Sequence, residues 1–180
     1  MRLLILDRDG VINAESPQFI KSAEEWIPIP GSLRAICRAT QAGFRIFVVS
    51  NQSGLARGKL DIEELNGIHR VLNQEVQHAG GRIEGIFFCP HAPEADCRCR
   101  KPKTALLEAI AARTGADLRS AVFIGDRASD MEAALAVGAR PILVRTGHGG
   151  EYADTYAGES RVTVCADLAA AVTLLMEEAA

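Results

Sequence analysis

The sequence predicts an α/β fold, a three-layer sandwich with a mostly parallel central sheet. Three observations predict it. Short apolar runs alternate with segments of helical periodicity along the chain. Helix-start and helix-stop residues bracket the periodic segments. Polar and charged clusters follow the apolar runs directly, as expected where parallel strands deliver side chains to a site beyond their carboxyl ends. The arrangement is Rossmann-like, with helices covering both faces of the sheet.

Taken in order, Leu3–Leu6 is a buried strand running into Asp-Arg-Asp-Gly. Gly31-Ser32 opens a helix carrying Leu33, Ile36 and Ala39, with Gly43 just beyond its end. Arg45–Val49, rich in β-branched residues, is a second strand that stops at the polar run Ser50-Asn51-Gln52-Ser53-Gly54. Asp61 and Glu64 form a capping-box pattern before Leu65, Ile68, Leu72 and Val76, which share one helix face, and Gly80-Gly81 ends that helix. His69 and His78 on the same helix read as surface residues. Ile86–Phe88 is a third strand, and an irregular loop from Cys89 to Pro102 follows. Thr104–Thr114 is helical and stops at Gly115; Ala121–Ile124 is a fourth strand leading into Gly125-Asp126-Arg127. A helix from about Ser129 to Val137 ends at Gly138, and Pro141–Val144 is a fifth strand followed by a glycine-rich turn around His148. Val162–Val164 suits a short edge strand, and Asp167 caps a last helix to about Glu178.

Composition narrows the function. The length of 180 residues is that of one domain, expected to span 1–180, and it can bury a substantial core without covalent staples. Twenty Lys and Arg against 23 Asp and Glu leave a net charge of −3, which argues against a nucleic-acid binder. The N-terminal apolar run stops at Asp7, too early for a signal-peptide core, and no later run approaches the length of a membrane span. The expected compartment is therefore the cytoplasm. Thiols stay reduced there, so clustered cysteines more readily bind metal than one another. The odd count of five cysteines also fits a paired framework poorly.

Asp7 and Asp9, two apart in extended chain, can face one pocket. Asp126, at another strand end, adds a third carboxylate. Such a cluster suits a hard divalent cation, Mg²⁺ foremost. Asp-Gly equally suits a simple turn, so the pair by itself leaves both readings open. Ser50 and Lys101 shift the balance. A carboxylate nucleophile approaching a phosphoryl group works against repulsion, which a metal, an ammonium and a hydroxyl donor offset. The strand ends supply one of each, in the order Asp7, Ser50, Lys101, Asp126.

A second constellation is Cys-x-His-x₅-Cys-x-Cys: Cys89, His91, Cys97 and Cys99. Three thiolates and one imidazole make a closed tetrahedral Zn²⁺ set, structural rather than catalytic. Core packing of these cysteines is the alternative, and the loop is too polar for it. Zinc would order a loop with little apolar content and fix Arg100 and Lys101, which follow the last ligand directly. Cys37 and Cys165 read as packing residues.

The segments LLILDRDGVIN (3–13), FVVSNQSG (47–54), CRKPK (99–103) and VFIGDRASDM (122–131) resemble the haloacid dehalogenase-like phosphotransferase superfamily over nearly the whole chain. The resemblance implies a Rossmann-like core without an inserted cap, there being no room for one between Asp7 and Ser50 or between Ser50 and Lys101. It implies that Asp7 attacks phosphorus to form an aspartyl-phosphate. Asp9 then protonates the leaving oxygen and later activates water. Ser50 and Lys101 hold the phosphoryl group. Mg²⁺ is bound by Asp7, Asp126 and the backbone carbonyl of Asp9. Asp130 either orients Lys101 and the metal shell or is an ordinary first-turn helix carboxylate.

Within the superfamily, DRDGVIN, SNQSGLARG (50–58), CPH…CRCRKPK (89–103) and FIKSAEEWIPIPGSLRAI (19–36) resemble the D-glycero-D-manno-heptose 1,7-bisphosphate 7-phosphatases of bacterial surface-polysaccharide synthesis. Histidinol-phosphate phosphatases share the zinc loop and are the alternative. A zinc-stabilised, non-catalytic sugar-phosphate binding module is a second alternative of another class. The heptose resemblance implies substrate contacts from Glu15, Gln18, Ser50, Asn51, Gln52, Ser53, Arg100, Lys101 and Arg127, the last gripping a second phosphate. Ser50 stands where many members have Thr, and Glu15 where Asp is common. The expected partner is a small-molecule sugar bisphosphate, with no nucleic acid, no membrane and a monomeric chain.

Overall fold

A computed structural model of the chain describes residues 2–178. Six strands form one wholly parallel sheet: β1 (Arg2–Leu6), β2 (Phe44–Asn51), β3 (Gly85–Cys89), β4 (Val122–Gly125), β5 (Arg140–Val144) and β6 (Thr163–Cys165), in the spatial order β3-β2-β1-β4-β5-β6. The α-helices are α1 (Ser32–Gln41), α2 (Ile62–His78), α3 (Ala105–Thr114), α4 (Ala128–Ala136), α5 (Gly149–Tyr156) and α6 (Leu168–Glu177).

The four inner strands, β2, β1, β4 and β5, are buried on both faces, which explains why they read as continuous apolar runs rather than as alternating ones. Leu4, Leu6, Ile46, Val48, Ile124, Ile142 and Val144 face one way and pack against α1, α2 and α6. Leu3, Ile5, Phe47, Val49 and Phe123 face the other way and pack against α3 and α4. Each such side chain taken from water contributes roughly 1.5–3 kcal/mol, so the sheet centre is the rigid platform of the molecule. The expected caps form. Asp61 accepts from the Glu64 amide at 2.8 Å while the Glu64 side chain accepts from the Asp61 amide at 2.6 Å. Asp167 caps α6 through the Ala170 amide at 2.8 Å.

Two expectations are corrected. The segment after β5 is not only a turn: it continues into α5, which packs Tyr152 and Tyr156 near Met131 and Leu143. His69 is buried on the core side of α2, not at its surface. It lies one turn after Leu65 and so falls on the buried stripe. Among the described residues no helix is long and apolar enough to cross a membrane.

The strand order reverses beside β1, where β2 lies on one side and β4 on the other. The chain crosses from β3 back to β4 there and opens a crevice at the carboxyl ends. Leu6 pairs in register with Val48 and with Ile124, so Asp7, Ser50 and Asp126 emerge at nearly the same height.

Candidate active site

Asp7 is the first residue past β1, and its amide donates to Ile124 O at 2.9 Å, so the β1–β4 ladder runs on into the site. Its Oδ1 accepts the Arg8 amide at 2.8 Å and lies 2.9 Å from Lys101 Nζ. Lys101, 4% exposed, also lies 2.7 Å from Asp130 Oδ1 and donates to Val49 O at 2.9 Å. The ammonium is thereby held between two carboxylates and a backbone carbonyl. Burial pushes Asp7 well above the usual carboxylate range. Lys101 pulls it down, and the charges of Asp130, Asp126 and Asp9 push it up. Burial disfavours the Lys101 cation, but Asp130 and Asp7 more than restore it and hold its pKa above the ordinary lysine value.

Asp130 does both jobs open to it in the sequence. Its Oδ2 accepts the Arg127 amide at 3.0 Å at the start of α4, and its Oδ1 meets Lys101. A side chain at Gly125 would put Cβ 2.3 Å from the Asp130 side chain, so β4 must end in glycine for this carboxylate to lie across it.

Asp126 is fully buried. Its Oδ2 accepts the His148 amide at 2.8 Å, and its Oδ1 has no hydrogen-bond partner among the described residues. Burial and then the Asp130 charge push its pKa up to about 7. Gly10 and Gly147, both at positive φ, back onto it: a Cβ on either would sit 2.2 Å from Asp126 Oδ2. Carboxylate oxygens of Asp7, Asp126 and Asp130 all lie within 4.8 Å of one another. Three buried acids, an Asp126 oxygen without a partner among the described residues, and proton affinities raised at Asp7 and Asp126 suit a hard cation.

Asp9 points elsewhere. Arg8 grips it with two bonds, Nε to Oδ1 at 3.0 Å and Nη2 to Oδ2 at 2.9 Å. Asn13 donates to Oδ1 at 2.8 Å and Gln52 to Oδ2 at 2.9 Å. Burial raises its pKa, but the Arg8 charge and the bonds from Asn13, Gln52 and Arg8 outweigh that and hold it below the ordinary aspartate value. Gln52 also donates to Ser50 Oγ at 2.6 Å, tying the β2 hydroxyl to the Asp9 carboxylate.

Asn51 and Lys101 clamp the β2 end to the cysteine loop: the Lys101 amide donates to Asn51 Oδ1 at 3.0 Å, and Asn51 Nδ2 donates to Lys101 O at 3.2 Å. In the loop itself, Cys89 and Cys97 sulfurs are 3.5 Å apart, as are Cys97 and Cys99; His91 Nδ1 is 3.3 Å from Cys99 and 3.7 Å from Cys89. Ligands at zinc–sulfur bond lengths on a tetrahedron are separated by about 3.8 Å, so the four groups fit one such ion. Burial pushes the Cys89 thiol up to about 12. Burial also acts against the Cys97 thiolate, but bonds from Cys89 and Cys99 bring its pKa down to about 6.

These groups open onto a cavity of about 400 Å³. Of the residues expected at the site, Asp7, Asp9, Glu15, Ser50, Asn51, Gln52, Ser53, Arg100, Lys101 and Arg127 line it. Asp126 lies beneath it, and Gln18 is exposed and outside the wall. The Ser16–Phe19 turn, closed by the Phe19 amide on Ser16 O and continued at positive φ by Phe19, turns Phe19 and Ile20 inward instead. No sequence signal marks those two apolar contacts. At the mouth, Arg127 Nη2 donates to Glu15 Oε1 at 3.0 Å, and His148 also lines the wall. Burial first, then Asp9, raises the Glu15 pKa despite Arg127.

The chain resembles known proteins over nearly its whole length. The chain is 44% identical to D-glycero-beta-D-manno-heptose-1,7-bisphosphate 7-phosphatase of Bordetella bronchiseptica over 99% of this chain and all of that one. The chain belongs to the D-glycero-beta-D-manno-heptose-1,7-bisphosphate 7-phosphatase family. It is also 50% identical to the Pseudomonas putida member across 83% of this chain and 85% of that one. The crystal structure of the B. bronchiseptica D,D-heptose 1,7-bisphosphate phosphatase complexed with magnesium and phosphate superposes with a TM-score of 0.95, covering 99% of both chains. The Burkholderia thailandensis family member superposes with a TM-score of 0.77 at 35% identity, covering 98% of this chain and 99% of that one. A family model described as HAD-hydrolase-like matches residues 98–171.

Proposed function

We propose that the protein hydrolyses the C7 phosphate of D-glycero-D-manno-heptose 1,7-bisphosphate to heptose 1-phosphate and phosphate, in the synthesis of nucleotide-activated heptose and lipopolysaccharide core precursors. One observation carries the reading: a buried aspartate whose Oδ1 is held by Lys101 and a backbone amide, beside an Asp126 oxygen that lacks a partner. The naming of family members and the magnesium and phosphate bound to the B. bronchiseptica enzyme support it.

The residues fit a resident Mg²⁺, with Asp7, Asp126 and the Asp9 carbonyl as ligands. When bound, it neutralises charge on the phosphoryl oxygens. Because both bonds to Asp7 fall on Oδ1, its Oδ2 is the oxygen that attacks phosphorus. Lys101 and Ser50 hold the equatorial oxygens as charge builds on them. Asp9, anionic in the free site, takes up a proton from solvent once the phosphate dianion lies beside it, and gives that proton to the leaving C7 oxygen. The same carboxylate, returned to its anionic form, takes a proton from the water that hydrolyses the aspartyl-phosphate. Arg127 and Arg100 suit the distal phosphate, with Glu15 and Ser53 beside the sugar and Asn51 and Gln52 holding the wall.

The four-ligand loop (about 89–102) fits structural Zn²⁺, which would set the position of Arg100 and Lys101. We read 1–180 as one catalytic domain, monomeric, cytoplasmic and specific for a small molecule. The test is kcat/KM measured side by side on heptose 1,7-bisphosphate and histidinol phosphate with Mg²⁺. A preference of at least a hundredfold for the heptose is expected. Preference for histidinol phosphate overturns the substrate, and phosphate release from neither overturns the enzyme reading.

A further inference from the structure

Arg8 is the largest fully buried side chain of the molecule, at 0% exposure, and the mechanism above gives it no role. Burying a guanidinium costs several kcal/mol unless its partners repay it. Its fork is aimed at one group, Asp9, through Nε and Nη2. The remaining nitrogen, Nη1, is buried without a partner among the described residues, and so is Nε2 of His69. The Arg8 and Asp9 charges both act on His69. Burial first, and then Arg8, drives its pKa down to about 4, so the imidazole is neutral. His69 packs against the Phe88 ring at 5.7 Å between centroids and makes no ion pair with the Asp9 carboxylate among the described residues.

A simple core role does not explain this geometry. An apolar residue beside Asp7 would pack at no desolvation cost. The two-point contact fixes the plane of the Asp9 carboxylate as well as its position, which a single ammonium or amide does not do. We propose that Arg8 is a positioning residue that fixes the orientation in which Asp9 delivers its proton to the leaving oxygen. The proposal rests on the reading of Asp9 as general acid. Arg8 does not line the cavity, so it acts through Asp9.

Leaving-group chemistry tests it. A sugar alkoxide needs a proton as it departs; p-nitrophenolate does not. Single-turnover phosphoryl transfer, with enzyme in excess, is measured on heptose 1,7-bisphosphate and on p-nitrophenyl phosphate for wild type, Arg8→Met, Arg8→Lys and Asp9→Asn. Arg8→Met is expected to slow the sugar reaction about a hundredfold and the aryl reaction less than about threefold. Arg8→Lys, which keeps the charge and loses the fork, is expected to be slowed about tenfold on the sugar alone. Placed in the Asp9→Asn background, Arg8→Met adds less than about twofold, since both act on one step. Equal loss on the two substrates, or no loss on either, overturns the proposal. If Arg8→Met does not fold, the Arg8→Lys comparison decides by the same criterion. If Asp9→Asn itself shows no leaving-group selectivity, the general-acid reading fails and takes the proposal with it. If Asp9→Asn is selective and the Arg8 variants are not, the proposal fails alone.

Discussion

Replacing Lys101 with methionine removes the one ammonium between two buried carboxylates. Nζ lies 2.9 Å from Asp7 Oδ1 and 2.7 Å from Asp130 Oδ1, and donates to Val49 O at 2.9 Å. Stripping a buried pair of one partner costs about 3–5 kcal/mol when the other charge must stay ionised. Asp7 need not stay ionised. Burial already holds its pKa well above the ordinary value, and Lys101 is the main influence lowering it. Without the lysine, the folded state prefers the protonated acid still more strongly. Stability tied to such a raised pKa is present at low pH and lost as pH rises through the folded value. Urea unfolding of wild type and Lys101→Met in Mg²⁺-free buffer should therefore differ by about 3–5 kcal/mol at pH 8. At pH 5.5 the difference should shrink to about 1–2 kcal/mol, the cost of the lost hydrogen bonds alone. An equal difference at both pH values would refute the buried-pair account. Activity of the variant should be undetectable at either pH, because no other side chain replaces the ammonium on the phosphoryl oxygens.

Other consequences concern the two metal sites and the glycines behind them. Asp126, at about 7, must lose its proton before a cation binds. Calorimetric Mg²⁺ affinity should accordingly fall about tenfold per pH unit below 7, with proton release visible as a buffer-dependent heat. A pH-independent affinity between 5.5 and 7 would contradict that. Gly10→Ala should abolish Mg²⁺ binding while leaving zinc in place, since its Cβ would lie 2.2 Å from Asp126 Oδ2. Retention of wild-type Mg²⁺ affinity would show that the backbone gives way there. Purified protein should carry about one equivalent of zinc by elemental analysis. In Cys97→Ser, amide exchange should rise across 89–103 and KM should rise about tenfold, through the Asn51–Lys101 clamp rather than through bulk unfolding.

Much of this was legible from residue order because the inner strands are short, buried on both faces and followed at once by their functional groups. Asp7, Ser50 and Asp126 each sit at the end of an apolar run, and a parallel register brings such ends to one height. The gathering of Cys89, His91, Cys97 and Cys99 was legible from spacing alone, since four donors within eleven residues need little tertiary context. What escaped depends on contacts distant in sequence. Helix α5 begins at Gly149-Gly150, poor helix formers, and is held where Tyr152 and Tyr156 find cover near Met131 and Leu143. The burial of His69 was in fact signalled by its one-turn spacing from Leu65, but a histidine on an apolar stripe does not announce which polar neighbour it meets. Nothing about Arg8 in the sequence says that it turns inward; its partner is the next residue, and only the fold removes the guanidinium from water. Gln18, expected at the substrate, lies outside the cavity, and Phe19, at positive φ, lines it.

In the proposed mechanism Asp7 carries the phosphoryl group between two half-reactions. That role is tested most directly by rapid acid quench of the enzyme turning over heptose 1,7-bisphosphate with Mg²⁺, followed by mass spectrometry of the peptides. A phosphate mass on the peptide containing Asp7, located to that side chain and absent from Asp7→Asn, is the predicted result. Steady Mg²⁺-dependent phosphate release by Asp7→Asn, or a phosphoryl group found on another residue, contradicts it.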